Sequence, residues 1–174
     1  MSDVINGSSA VDSLLAHLPY LAEAAKSPSA KGELVYILNG VMEETRLAGD
    51  VLFRQDAPVE KVYLLIEGRV EEIRTLPKRH GGKKILLRDS EPVRLLGIYD
   101  VLFRQLHNTS ARVLLTSTVL SIDARQITRL LYKFPELRAQ IAPLGTISRL
   151  RAMPLLEQAD DVSVGFLADI TETV

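Results

Sequence analysis

Between Leu47 and Asp123 no apolar run lasts longer than VYLLI, Val62 to Ile66, before Gly, Pro, Asp, Asn or a charged residue interrupts it. This punctuation constrains the fold more than any other feature, because it leaves room for short strands and little else. It predicts strands VLF at 51–53, VYLLIE at 62–67, VEEIRTL at 70–76, KKILLR at 83–88, RLLG at 94–97, ARVLL at 111–115 and VLSID at 119–123. Gly49, Gly68 and the pair Gly81 and Gly82 stand at the breaks, where the backbone needs a conformation or an approach that a side chain would forbid. Alternation puts Val62, Leu64 and Ile66 on one face and Tyr63 and Leu65 on the other, so both faces need cover. A β-barrel packed against helices meets that need.

Helical spacing flanks the strands. Val11, Leu14, Leu15 and Leu18 form a short stripe ending near Pro19, and AAKSPSAKG at 24–32 reads as a loop. Leu34, Ile37, Leu38 and Val41 predict a second helix over about Glu33–Thr45, weakened by Gly40. After the strands, Asp123 and Gln126 make a capping box before the stripe Ile127, Leu130, Leu131 and Phe134. Pro135 opens a last short helix with Leu137 and Ile141 inward, ended by Pro143 and Gly145. The polar first ten residues are expected to be disordered.

At 174 residues the chain can bury one domain core unaided, and without cysteine it holds no disulfide, thiolate nucleophile or Cys-based metal site. Its 21 basic against 22 acidic side chains give a net charge of −1 and no bulk attraction to nucleic acid or an anionic membrane. No segment approaches the ~20 apolar residues of a membrane helix, and the first residues do not resemble a secretory signal, so a cytoplasmic protein is expected.

Two internal echoes bear on domain organisation. DVLFRQ occurs at Asp50–Gln55 and at Asp100–Gln105, in flanks that do not match, so it reads as coincidence rather than as duplicated hairpins. LPYL at 18–21 followed by ILNGVMEET at 37–45 is echoed by MPLL at 153–156 followed by FLADITETV at 166–174. The expected organisation is a tail and short helix over 1–32, a β-barrel with flanking helices over 33–142, and a helical segment over 143–174. That segment reads either as the threshold of a second copy or as a terminal docking or dimerisation helix.

Three stretches, LAGDVLFRQDAPVEKVYLLIEGRVEEI at 47–73, LLGIYDVLFRQLHNTSARV at 95–113 and VLSIDARQITRLLYKFPEL at 119–137, resemble the cyclic nucleotide-binding domains of catabolite-activator-like regulators, kinase regulatory subunits and gated channels. The resemblance covers residues 33–142. It implies a mainly β fold: a jelly-roll β-barrel with N-terminal helices, a phosphate-binding cassette in a loop, and a C-terminal lid or hinge helix. In such domains cassette amides and an Arg hold a cyclic phosphate while a Glu holds the ribose. The cassette positions here are Gly97, Ile98, Tyr99, Asn108, Thr109, Ser110, Ala111 and Arg112. Ile98 stands where the family has Glu, and Thr109 and Ser110 fall where it has Pro-Arg, so the cassette is degenerate. Losing that guanidinium costs ~2 to 5 kcal/mol of phosphate binding, and Asp100 adds a negative charge nearby.

Other chemistry finds little support. PKRHGGKK at Pro77–Lys84 reads as a solvated hairpin tip. His17, His80 and His107 are too scattered for a cupin-type metal shell, and no nucleophile elbow or P-loop is present. After Leu144 the bases Arg149 and Arg151 precede five acids, Glu157, Asp160, Asp161, Asp169 and Glu172, the wrong sign for a DNA-recognition helix. The expectation is a non-catalytic regulatory or interaction module with weak or no cyclic nucleotide binding. Two alternatives stand beside it: an atypical cAMP or cGMP sensor in which Arg104, Arg112 or Asn108 replaces the missing Arg, and a structural jelly roll without ligand. The expected partners are other domains of a longer protein or a second copy, not nucleic acid or membrane.

Overall fold

Two long strands carry the architecture. The computed structural model describes residues 2–4, 7–17, 21–22, 25–75, 84–90, 94–103, 106–135 and 137–138. The element order is β1 (Ser2–Val4), α1 (Gly7–His17), α2 (Pro28–Ile37), β2 (Met42–Arg46), β3 (Val51–Phe53), β4 (Lys61–Thr75), β5 (Lys84–Ser90), β6 (Arg94–Leu96), α3 (Ile98–Leu102), β7 (Ser110–Asp123) and α4 (Ala124–Lys133). The basic run up to residue 83, Arg104, and everything past residue 138, including the echo expected to begin a second copy, lie outside the described residues.

β4 and β7 pair antiparallel along nearly their whole length, and each serves two neighbours. β4 pairs β6 through Tyr63–Leu65 and β5 through Val70–Thr75. β7 pairs β3 through Ala111 and Arg112 and β2 through Ser117–Ser121. The change of neighbour coincides with an irregularity, since Leu65 pairs Val119 but Val70 pairs Val113, which leaves one extra residue in β7. Gly68 stands there with φ +101, and a Cβ on it would lie 2.6 Å from the Ser117 Cα. The Ser117 hydroxyl accepts from the Arg69 amide at 3.1 Å and donates to the Leu115 carbonyl at 2.6 Å, holding groups that the broken ladder would orphan.

The shift also flips which residues face inward. Tyr63 and Leu65 join Val70, Leu52, Phe53, Leu96, Ala111, Val113 and Val119 in one buried cluster. Val62 and Leu64 face the other way with Leu120 and Ile122, into a second cluster formed with the helices. Both faces of β4 are thus covered, as its alternation requires.

The expected jelly-roll barrel is not what forms. The strand path runs β1-β2-β7-β4-β5, with β3 on β7 and β6 on β4, and no ladder joins β1 to β5 among the described residues. The fold is a mixed α/β one with an open sheet. Helices bury one face of β4 and β7, and the other face is buried by strand side chains alone, from β3, β4, β6 and β7. One cause is the stretch 33–45, read as a single helix. Ser27 caps α2, its hydroxyl accepting from the Ala30 amide at 3.1 Å, and Pro28 occupies the first helical position, so the helix begins early. It ends at Ile37, and Met42–Arg46 becomes a strand that widens the sheet. The N-terminal residues expected to be disordered instead pair β1 with β2 and form α1.

α4 starts as the sequence predicts. Asp123 accepts from the Arg125 amide at 2.7 Å, and the Gln126 side chain accepts from the Asp123 amide at 3.0 Å. The Gln126 amide group also donates to the Ile37 and Asn39 carbonyls, tying α4 to the end of α2. Among the described residues no helix is long and apolar enough to cross a membrane.

Gly68→Ala is expected to cost at least about 2 kcal/mol, from positive φ and collision with the facing backbone. Gly32→Ala, in α2 with nothing within 4 Å of the added carbon, is expected to gain about 0.5–1 kcal/mol. Urea unfolding of both variants measures the contrast.

Candidate functional site

The cassette is built around one left-handed residue. β6 ends at Leu96, Gly97 turns the chain with φ +80, and α3 follows. A Cβ on Gly97 would sit 3.3 Å from the His107 ring and 3.6 Å from the Phe53 ring, so the glycine also gives those rings room. Ile98 and Leu102 turn into the helical core beside Ile127, Leu130 and Leu131. Asp100 is buried and points to a different partner.

That partner is His107, which is 2% exposed. Its Nδ1 lies 3.0 Å from one Asp100 oxygen, and the Asn108 amide donates to the other at 3.2 Å. An ionised carboxylate only accepts, so His107 donates from Nδ1. The imidazole stacks on Phe53 with centroids 4.0 Å apart and planes at 11°. Two backbone bonds clamp His107 to the turn after β3: its amide donates to the Ala57 carbonyl at 3.0 Å, and its carbonyl accepts from the Asp56 amide at 2.8 Å. Asp56 itself has φ 65 in that turn.

The eight sequence-selected positions scatter around this centre. Gly97 and Asn108 belong to it, whereas Ile98 is in the helical core and Tyr99 packs against that core. Thr109 is buried, and the Ser110 hydroxyl accepts from the Gln55 amide at 2.9 Å. Ala111 is in the sheet core. Arg112 is 52% exposed and its guanidinium pairs with Glu71 on the neighbouring strand. Sequence reasoning took His107 only as a metal candidate and passed over Phe53. The spacing of Asp100 and His107 carries no motif, and Phe53 looks like any strand residue.

Beside His107 and Phe53 lies a cavity of about 260 Å³, walled also by Tyr63 and edged by Arg54, Glu60 and Lys61. This is slightly smaller than the roughly 300–1,000 Å³ common for ligand pockets. Lys61 links the mouth to a buried carboxylate, Glu44, at 3.5 Å, and to the Ser121 hydroxyl at 3.4 Å. Burial pushes the Glu44 carboxyl up, but the Ser121 hydroxyl, which donates to it at 2.5 Å, and the Arg46 and Lys61 charges outweigh that and hold it below its ordinary value. Burial pushes the Tyr63 phenol up; Arg46 opposes that, while Glu44 and Glu60 add to it. No cluster of three metal-ligating side chains occurs among the described residues.

α3 does not line the cavity itself; its Asp100 holds the cavity-lining His107, while Ile98 and Leu102 pack with α4. The chain belongs to the cyclic nucleotide-binding domain family, whose model matches residues 43–133, more than half of it. Solved structures share the fold. The sensor domain of the transcriptional regulator DNR from Pseudomonas aeruginosa aligns with TM-score 0.62 and 22% identity over 84% of this chain and 93% of that one. The regulatory domain of Toxoplasma gondii PKA, co-crystallised with cAMP, gives 0.63 and 16% over 78% and 49%. The Thermus thermophilus catabolite activator protein gives 0.57 and 22% over 82% and 61%. The chain therefore spans only part of the length of the last two, and at these identities the likeness carries the fold alone. No curated protein matches in sequence.

Glu44 makes stability depend on acid. Its folded pKa lies below the ordinary 4.5, so the stabilisation is complete above that value and is lost as pH falls through the folded value. Glu44→Gln is expected to be less stable at pH 7 yet to show a flatter loss below pH 4.5, read from urea midpoints across pH.

Proposed function

We propose that this domain is a non-catalytic sensor module of a larger regulator, responding to cAMP or cGMP through atypical contacts and signalling through α3 to α4. Family membership supports the ligand class. The observation that carries the reading is the position of α3: Asp100 binds it to His107 at the pocket, while Ile98 and Leu102 bind it to Ile127, Leu130 and Leu131 of α4. A ligand that rearranges the Asp100–His107–Asn108 cluster therefore has differential contact with the helix behind it, which is what a shift of population requires.

Affinity is expected to be modest. With Arg112 held by Glu71, the missing charge-assisted contact weakens binding by ~30-fold or more. Calorimetric titration of the full chain with each nucleotide is expected to give micromolar to submillimolar dissociation constants, and hydrogen exchange in residues 124–133 is expected to change on binding. Absence of heat with both at millimolar concentration overturns the reading. It would favour a second one, a scaffold that docks neighbouring domains without ligand, for which the buried Asp100 in the first turn of α3 already speaks.

A further inference from the structure

We propose that Arg54 and Lys61, at the mouth of the cavity beside His107, read the negative charge of the ligand, and that the site selects planar aromatic monoanions. The proposal rests on reading this face as the ligand site, and it names the groups that replace the cassette guanidinium.

The charges leave little choice. Arg112 is committed to Glu71 on the adjacent strand. Asp100 places a buried carboxylate in the first turn of α3, where a second anion would be repelled. Arg54 is exposed, lines the cavity, and makes no side-chain hydrogen bond or ion pair among the described residues. Lys61 lines it too, and its ammonium sits at 3.4 and 3.5 Å from its protein partners, near the outer limit of a hydrogen bond. Glu60 shares the mouth. Glu44, which Lys61 approaches, is already matched by Arg46, so Arg54 and Lys61 against Glu60 leave one net positive charge at the mouth, which a monoanion matches.

The walls specify the rest. Phe53 and Tyr63 lie nearly parallel, at 24°, with centroids 6.4 Å apart, an aromatic lining for a planar ring. His107 spends Nδ1 on Asp100, and Arg46 Nε is the one sealed side-chain polar atom without a partner among the described residues. His107 lines the cavity, and its second ring nitrogen, which has no protein partner among the described residues, is the group we assign to hydrogen-bond a ligand. A volume of about 260 Å³, open at the mouth, limits the occupant to a single small ligand.

The test titrates the full chain and its Arg54→Gln, Lys61→Met and Arg112→Gln variants with three probes. Cyclic AMP is a purine monoanion, adenosine is its uncharged counterpart, and 1-naphthoate is an aromatic anion without ribose. Thermal unfolding checks that each variant folds. Arg54→Gln is expected to weaken cyclic AMP and 1-naphthoate by about tenfold or more, with Lys61→Met acting in the same direction, and to leave adenosine within about twofold. If cyclic AMP binds but depends on Arg112 and not on Arg54, the sensor reading stands and this proposal is overturned. If only 1-naphthoate binds, and through Arg54, the nucleotide reading fails and this one stands. If neither anion binds at millimolar concentration, it is overturned as well.

Discussion

The close approach of Gly68 to Ser117 is the constraint on which the rest depends. It is where β4 and β7 slip by one residue, where their outer neighbours change, and where the inward face switches parity. Without the slip, Val70 would point away from the cluster that Tyr63 and Leu65 enter, and the sheet could not bury both clusters. The pocket hangs on the same device, because Phe53 on β3 and Tyr63 on β4 meet only if each long strand holds its proper neighbour at each end.

The site inherits an unusual electrostatic balance from that frame. In a phosphate-binding cassette the helix start and a guanidinium wait for an anion from outside. Here the anion is supplied from within: Asp100 sits in the first turn of α3 and is satisfied on both oxygens by His107 and Asn108. The imidazole that satisfies it is pressed against Phe53 and clamped by the turn after β3. Cassette and turn are thus one packed unit, and Arg54, without a side-chain partner among the described residues, lies at the cavity mouth.

Much of the fold was legible. The capping box at Asp123 and Gln126 and the strand at 51–53 stand where residue chemistry put them, because each is decided within a few residues. What failed was decided at a distance. Met42–Arg46 has a buried Glu44 at its inward position, so it showed no apolar alternation; its partners Arg46, Lys61 and Ser121 are visible only in the folded chain. The pairs 62–67 with 70–76 and 111–115 with 119–123 looked like four strands because the slip at Gly68 breaks the period, yet each pair is one strand. DVLFRQ is the sharpest case: its Val51–Phe53 is strand and its Asp100–Leu102 is helix, so identical letters took opposite structures from their surroundings. Whether strand ends meet is likewise a property of the whole sheet, and the pattern of apolar residues did not encode it. At the site, Gly97 was readable from its place before the cassette, but the Asp100–His107 pair was not.

The Gln126 side chain fastens the first turn of α4 to the carbonyls at the end of α2 as well as to its own cap. With this end tied by hydrogen bonds and the far end tied to α2 by the partly exposed Lys133–Glu33 pair, the helix has its firmer hold at the N-terminal end, about which it can tilt as a lever. Its 10 residues span ~15 Å, so a tilt of ~10° at the pin carries the Lys133 end through ~2.6 Å while Ala124 stays still. α3 packs on Ile127, Leu130 and Leu131, progressively farther from the fulcrum, so a displacement delivered through them would reach the far end of α4 magnified in proportion to the arm.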